Sequence, residues 1–206
     1  MHPKREFVDI LLKEVDRLNT TVNGILHYSR GRSGIISPSE PLAGIIAGVA
    51  RLLDSKLKNK SIDFDLLGNS MAKGYHIERE KLSQVFLNII LNAIDAVPEG
   101  GKIRVRMEKK PGGLAVLVSD NGPGIAAEVR ERVFLPFYTE KEDGTGLGLP
   151  ITRKIVESYG GRITVSDAND GGACFTIFLP QSPKDFSLES VRPVSNSIDE
   201  DTLCRS

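Results

Sequence analysis

Apolar positions recur with helical spacing at the start of the chain. The spacing alternates between three and four residues at Val8, Leu11, Val15, Leu18, Val22 and Ile25. Such a seam is typical of a coiled coil or a helical bundle. We therefore predict one long amphipathic helix over residues 1–30 that packs on a partner helix. The alternative is a helix that packs on its own domain.

The pattern changes after this helix. Gly, Ser and Pro dominate residues 31–41, which predicts a linker. Helical periodicity returns over residues 43–58, 78–97 and 151–159. Alternating or short apolar runs predict strands over residues 62–66, 72–77, 103–107, 114–118, 163–165 and 174–179.

The order of these elements predicts the fold class. Strands follow one another as hairpins and the helices come in separate blocks, so we expect an α+β fold. Its form is a two-layer α/β sandwich, with helices on one face of a mixed sheet, over residues 42–180. Residues 181–206 are rich in Ser, Pro and acidic residues without periodicity, which predicts a disordered tail or linker.

Composition narrows the possible partners. Lys and Arg together number 27, as do Asp and Glu, so the formal net charge is zero and no nucleic acid is expected. Cys174 and Cys204 lack metal-ligand spacing and a disulfide framework, which suits a reducing cytosol. No apolar run approaches the roughly 20 residues of a membrane span. We expect a cytoplasmic segment without direct membrane contact.

The first candidate site is the polar face of the helix predicted over residues 78–97. Asn88, Asn92 and Asp95 share this face with Gln84, at steps of three or four residues. Asn is a poor helix former, so two of them one turn apart are unusual on a solvated face. Amide oxygens suit a hard cation and amide hydrogens suit phosphate. Either a solvated face or a ligand site fits this pattern.

The second candidate site is the run from Asp120 to Gly124, directly after a predicted strand. A carboxylate at a strand end can accept a hydrogen bond from an exocyclic amine such as that of adenine. Gly122 and Gly124 would let the backbone approach a flat ring closely. The alternative is an ordinary tight turn, since these are turn residues.

The third candidate site is the glycine loop over residues 144–149, which leads straight into a helix. Alternating glycines before a helix N-terminus present backbone N–H groups to phosphate. Neither the P-loop nor the Rossmann fingerprint is present. Just before this loop, Phe134, Phe137 and Tyr138 are interpreted as anchors of a mobile segment. Lys141 either pairs with phosphate or is a solvated lysine.

Taken in order, these elements closely resemble the histidine kinase catalytic domain of the Bergerat, or GHKL, ATP-binding fold. QVFLNIILNAIDAV is similar to the N box, DNGPG to the G1 box, FLPFYTEK to the F box and GTGLGL to the G2 box. The resemblance covers roughly residues 40–180. It implies that ATP and Mg²⁺ bind here, and that residues 134–148 are the ATP lid.

The resemblance also implies roles for individual residues. Asn92 would ligate Mg²⁺, Asn88 would contact the phosphates or the waters of the metal, and Asp120 would read the adenine amine. The remaining positions expected in the nucleotide site are Asp95, Gly122, Gly124, Ile125, Lys141, Gly144, Thr145, Gly146, Leu147, Gly148 and Leu149. Position 173 is Ala where many relatives have Thr, so no hydroxyl contact is expected there.

The activity implied is that of a two-component sensor histidine kinase. The helix over residues 1–30 is similar to the second helix of the dimerisation and phosphoacceptor hairpin. The histidine that receives the γ-phosphoryl is expected to be absent from this sequence, because His2, His27 and His76 do not match its motif. No catalytic residue is therefore assigned. The resemblance implies that the parent kinase forms a homodimer through the helical bundle and binds the receiver domain of a response regulator. It also allows a membrane anchor in the parent.

Three other functions stay open. An ATP hydrolase of this fold would use a glutamate at position 88, and Asn88 has no basic lone pair. A nucleotide-sensing or dimerisation module without catalysis would also suit a sequence that lacks the acceptor. A serine-phosphorylating anti-sigma kinase shares the fold, but the helical seam before the domain favours the histidine kinase.

Overall fold

The computed structural model of the protein describes residues 42–67, 78–141 and 144–180. Within these ranges the helices are α1 (Leu42–Leu52), α2 (Asp54–Asn59), α3 (Arg79–Ala96) and α4 (Gly148–Ser158). The strands are β1 (Asp63–Leu67), β2 (Lys102–Lys110), β3 (Gly113–Asp120), β4 (Arg162–Asp167) and β5 (Ala173–Pro180). Two short 3-10 turns, Ala127–Val129 and Arg132–Phe134, follow β3.

Some of the predicted segments lie outside the described residues. These are the helix over residues 1–30, the linker over residues 31–41, the strand over residues 72–77 and the tail over residues 181–206. His2, His27, His76 and Cys204 also fall there.

The described strands form one mixed sheet in the order β1-β2-β3-β5-β4. β1 runs parallel to β2, and every other neighbouring pair is antiparallel. Ser119 near the end of β3 pairs with Cys174 near the start of β5. This register brings the run after Asp120 beside the turn that joins β4 to β5.

The helices pack on one face of this sheet, which confirms the predicted two-layer α/β sandwich. The apolar face of α3 is buried, and it consists of Leu82, Val85, Phe86, Ile89, Ile90, Ala93 and Ile94. They meet inward side chains of the sheet, which include Ile103, Val105, Val116, Val118 and Ile177. Because every second strand residue points to this layer, burial alternates along β4, whereas β3 is also buried on its other face around Ala115 and Leu117.

The single helix predicted over residues 43–58 is instead two helices. The break falls at Leu53, whose N–H reaches both Val49 O (3.1 Å) and Ala50 O (3.2 Å). Such a shared bond tightens the turn at a helix end. As a result Leu53 and Leu57 both reach the core, whereas Leu52 is 72% exposed.

Neighbouring residues explain where α3 ends and how its last carbonyl groups are hydrogen-bonded. Val97 is extended because Pro98 follows it, and that ends the helix. The ammonium of Lys60 donates to Ile94 O (2.7 Å) and Asp95 O (3.3 Å), which satisfies carbonyls of the last turn. This contact fixes the end of the helix that carries the polar face.

Helix α4 begins at Gly148, three residues before the predicted start. Pro150 is tolerated in the first turn, where a backbone N–H has no partner within the helix. No side chain caps this end. The last residues of the glycine loop therefore form the first turn of the helix.

Across the described ranges, no helix combines the length and the apolar character needed to cross a bilayer.

Candidate nucleotide-binding site

Asn88 ties the polar face of α3 to the start of α4. Its Nδ2 donates to Gly148 O (3.0 Å) and to Thr152 Oγ1 (3.2 Å). The Thr152 hydroxyl in turn donates to Gly148 O (2.9 Å) and is fully buried. The amide hydrogens of Asn88 are thus occupied, and only its oxygen remains for a ligand or for the waters of a metal.

Asn92 and Asp95 lie further along the same face and share one partner. Lys141 Nζ is 3.2 Å from Asn92 Oδ1 and 2.7 Å from Asp95 Oδ2. The sequence offered two possibilities for Lys141, a phosphate partner or a solvated lysine. In the structure Lys141 binds the face predicted to hold the metal, and its pairing with phosphate stays a prediction.

Asp120 closes β3 and is only 6% exposed. Its Oδ1 accepts hydrogen bonds from Gly122 N (2.9 Å) and Ala173 N (3.3 Å). Burial raises the pKa of this carboxyl above its ordinary value, although both N–H donors act to lower it. Both donors reach the same oxygen, so Oδ2 is left to accept from a ligand.

Gly122 places the turn after β3 against the end of α3. A Cβ here would lie 3.0 Å from both Ala96 O and Asp120 Oδ1, tighter than side chains ordinarily pack. Gly124 has a φ of +79°, and its Cβ position lies 3.2 Å from Gly172 O. Both glycines therefore lie close to other atoms of the protein, and their close approach to a nucleotide ring stays a prediction.

Residues 144–148 pack back onto the segment before them. Gly146 has a φ of +63°, and its carbonyl accepts from Phe137 N (3.0 Å). A Cβ at Gly146 would collide with the Phe137 carbonyl carbon. The hydroxyl of Thr145 accepts a long hydrogen bond (3.4 Å) from Leu147 N. Glu142 and Asp143, inside the predicted lid, lie outside the described residues.

The three aromatics of the predicted lid have different environments. Phe134 is buried and packs edge-on against Phe175, with ring centroids 6.4 Å apart. Phe137 is 73% exposed and has a φ of +65°. The guanidinium of Arg132 lies 4.9 Å from the ring centre of Tyr138. Of these three aromatics, Phe134 alone anchors the segment in the core.

Ile125 is half-buried against the core, and its carbonyl accepts from Arg130 Nε (3.1 Å). Arg130 also pairs with Asp167 at 2.6 Å. Leu147 is buried in the core and Leu149 packs against it. These contacts hold the backbone of the predicted site residues, whose part in nucleotide binding stays a prediction.

Three separate sequence motifs therefore meet on one helix. Asn88 contacts Gly148, Asn92 and Asp95 contact Lys141, and the end of α3 contacts Gly122.

Thr152 and Gly172 shape the site and were not predicted from the sequence, and neither was the hydrogen bond from Ala173 N to Asp120. The paired glycines at positions 171 and 172 were the available signal for the turn behind Asp120. Thr152 lies one helical turn after Gly148, and its hydroxyl could have indicated a hydrogen bond with Asn88 at the start of α4.

Residues 77–183 match the family described as histidine kinase-, DNA gyrase B-, and HSP90-like ATPase. The sensor histidine kinase ZraS of Salmonella typhimurium is 35% identical over 178 residues, which cover 85% of this chain and 38% of that protein. The chain thus spans less than half the length of the curated relatives that it matches.

Solved structures show the same fold. The catalytic domain of histidine kinase ThkA superposes with a TM-score of 0.65 at 35% identity, covering 70% of this chain and 95% of that one. ThkA in complex with the response regulator protein TrrA superposes with a TM-score of 0.74 at 31% identity, covering 89% of this chain and 53% of that one. The chain therefore belongs to the histidine kinase-, DNA gyrase B- and HSP90-like ATPase family, with an ATP-binding domain of the sensor histidine kinase type.

Proposed function

We propose that this domain binds ATP along α3 and supplies its γ-phosphoryl group to a histidine of the parent sensor kinase. The observation that carries the proposal is the convergence of three motifs on that helix. One end of the site has a buried carboxylate, and the other has an uncapped helix N-terminus. The first suits a base with an exocyclic amine and the second suits phosphate.

At the adenine end, Asp120 is held rigidly. Two backbone N–H groups fix Oδ1, so the direction of the Oδ2 lone pairs is set before a ligand arrives. A hydrogen bond from the adenine amine to an ionised carboxylate is charge-assisted and stronger than a neutral one. Low exposure also keeps water from competing for that oxygen.

At the phosphate end, the first turn of α4 offers the N–H groups of Gly148 and Leu149, which have no acceptor within the helix. Asn88 orients this turn through Gly148 O. The residues present also fit Mg²⁺, because Asn92 Oδ1 and Asp95 Oδ2 already converge on one positive charge. When bound, Mg²⁺ would neutralise charge on the phosphates.

The proposed reaction is phosphoryl transfer. A histidine nitrogen attacks the γ-phosphorus, the bond from phosphorus to the bridging oxygen breaks, and ADP leaves with the electron pair. The domain contributes position and charge neutralisation, with no covalent step of its own. Asn88 favours transfer over hydrolysis, since an amide does not accept a proton from water.

The receiver domain of a response regulator is the proposed partner of the parent kinase, because ThkA was solved with the response regulator TrrA. A homodimer through the helical bundle of the parent is part of the same proposal.

The experiment that tests the nucleotide site is calorimetric titration of the full chain with a non-hydrolysable ATP analogue and Mg²⁺. Asp120→Asn should weaken binding by at least about tenfold, as expected for loss of a charge-assisted hydrogen bond worth about 1.5–3 kcal/mol. Asn92→Ala should reduce the dependence of binding on Mg²⁺. Asp170→Asn is the matched control, because that exposed carboxylate pairs with Arg104 instead.

Equal loss of affinity in Asp120→Asn and Asp170→Asn would contradict the assignment of the adenine end. If the site binds as proposed, incubation with ATP and a separately supplied acceptor hairpin should label the hairpin histidine. If the domain binds the analogue but the hairpin histidine is not phosphorylated, the result would support the alternative of a nucleotide-sensing or dimerisation module without catalysis.

A further inference from the structure

One lysine and two oxygen ligands of α3 form a compact group in this structure. Asn92 and Asp95 are three residues apart, so their side chains leave the helix on the same face. Their oxygens lie 3.2 Å and 2.7 Å from the single ammonium of Lys141. A positive charge is therefore already bound between an amide oxygen and a carboxylate.

This arrangement contributes little to the stability of the fold. The side chains of Lys141 and Asp95 are 46% and 51% exposed. Ion pairs that are this open to water contribute little, since solvent screens them and the long lysine side chain loses freedom. The ion pair between Lys141 and Asp95 can therefore separate with little loss of folding stability. A site in which a cation replaces the lysine requires this.

The two oxygens have the chemistry that a hard divalent cation prefers. Mg²⁺ in proteins is typically held by one or two side-chain oxygens, several waters and the phosphates of a substrate. Asn92 alone offers one neutral oxygen, which is a weak ligand. Asp95 adds a full negative charge on the same face and one helical turn away.

We infer that Asp95 acts with Asn92 in holding the divalent cation, directly or through a bound water, and that Lys141 competes with the cation for both oxygens. This inference deepens the proposed function and rests on it only for the identity of the nucleotide. When the cation enters, the ammonium is displaced. The released Lys141 is then free to pair with a phosphate oxygen.

Lys60 is a second cation near this group. Lys60 bonds to the backbone carbonyls of Ile94 and Asp95 and does not contact the Asp95 carboxylate. It stays in place when Lys141 leaves, because its partners are carbonyls of the helix end. The competition therefore involves Lys141 and not Lys60.

The first test needs no nucleotide. Mn²⁺ is added to the full chain, and its binding is followed by the electron paramagnetic resonance signal of the free ion. Lys141→Met should bind Mn²⁺ about threefold to tenfold more tightly than the parent, because its competitor is gone. Lys141→Met combined with Asp95→Asn should lose that gain. Equal Mn²⁺ affinity in the parent and in Lys141→Met would overturn the inference.

The second test uses the ATP analogue, titrated with Mg²⁺ and again with a chelator. The affinity for the analogue with Mg²⁺, divided by its affinity with the chelator, should fall at least about fivefold in Asp95→Asn. The same ratio should be unchanged in Asp170→Asn. A parent-like ratio in Asp95→Asn would overturn the role of Asp95. If the proposed function is wrong, neither the parent chain nor any variant binds the analogue, with Mg²⁺ or with the chelator. The Mn²⁺ measurements still test the role of Asp95 in that case.

Discussion

Gly172 lies so close to Asp120 that no side chain fits between them. A Cβ at position 172 would collide with Asp120 O and would be 2.7 Å from its Oδ1. The φ of Gly172 is +90°, a region that other residues rarely adopt. The next residue, Ala173, donates its N–H to the same carboxylate oxygen. The turn between β4 and β5 therefore forms a fixed wall behind the carboxylate.

Gly172→Ala should damage both the fold and the nucleotide site. Backbone strain at positive φ costs about 1–2 kcal/mol, and the clash with Asp120 adds to it. Gly171→Ala is the matched control, since its φ of +79° carries similar strain but no atom lies within 4 Å of its Cβ. Urea unfolding and analogue binding should show a larger loss for Gly172→Ala in both measurements. Equal losses of affinity in Gly172→Ala and Gly171→Ala would contradict the conclusion that the turn at Gly172 fixes the position of Asp120.

The stability of the domain should depend on the ionisation of Asp120. Because burial raises the pKa of this carboxyl in the folded state, the charged form is disfavoured there. Its contribution to stability is fully present below the pKa of the unfolded chain and is lost as pH rises through the folded pKa. The unfolding free energy of the parent minus that of Asp120→Asn should therefore increase as pH falls from neutral. A difference that is flat with pH would argue against the raised pKa.

Nucleotide affinity should change with pH in the opposite direction. The adenine amine needs an ionised acceptor, so lowering the pH through the raised pKa of Asp120 should weaken binding. The ratio of parent affinity to Asp120→Asn affinity cancels the titration of the nucleotide itself. This ratio should approach one as Asp120 becomes protonated. Calorimetric titrations at several pH values measure it.

Asn88→Asp should loosen the start of α4. The substitution replaces two donated hydrogen bonds with a carboxylate that faces Gly148 O and Thr152 Oγ1. Loss of the bonds and repulsion from the carbonyl should destabilise the domain by about 1–3 kcal/mol. Denaturant unfolding checks this value. Gln84→Glu is the matched control, because it makes the same change from amide to carboxylate on the same face of α3, and it should change stability much less.

Gly148→Ala and Gly146→Ala should separate binding from folding. A Cβ at Gly148 meets Asn88 atoms at 3.7–3.9 Å, which is ordinary contact, and Ala improves helix propensity by up to about 1 kcal/mol. Gly148→Ala should therefore fold normally and bind the analogue less tightly, because the methyl group narrows the approach to the first turn of α4. Gly146→Ala should lose stability, since its Cβ collides with Phe137. Normal stability in Gly146→Ala would contradict the packing of this loop.

The layers of the fold could be predicted from the sequence because the pattern of apolar residues is local and strong. The buried face of α3 and the alternation in β1 are both visible in short windows. The split at Leu53 was missed, since both sides of the break keep helical spacing. The break accompanies burial of Leu53 and Leu57 in the core, and such long-range contacts are not visible in a short window of sequence.

The chemistry of the site could be partly predicted in the same way. Asp120 and the glycines near it follow a strand, so their shared location could be inferred. The partner of Lys141 could not, because Asp95 and Lys141 are 46 residues apart in the chain. The engagement of the Asn88 amide hydrogens was equally hidden, since Gly148 is 60 residues away.

The Ala at position 173 has a consequence for mutational robustness. Asp120 is oriented by the main-chain amides of residues 122 and 173, and not by a hydroxyl. Any residue that keeps its amide hydrogen and fits the buried strand can supply the second donor, so the orientation of Asp120 does not depend on the side chain at position 173. Proline, which has no amide hydrogen, would remove the donor at either position. The orientation of this carboxylate is thus encoded in backbone geometry, and it tolerates a change of side chain at position 173 but not at Gly122 or Gly172.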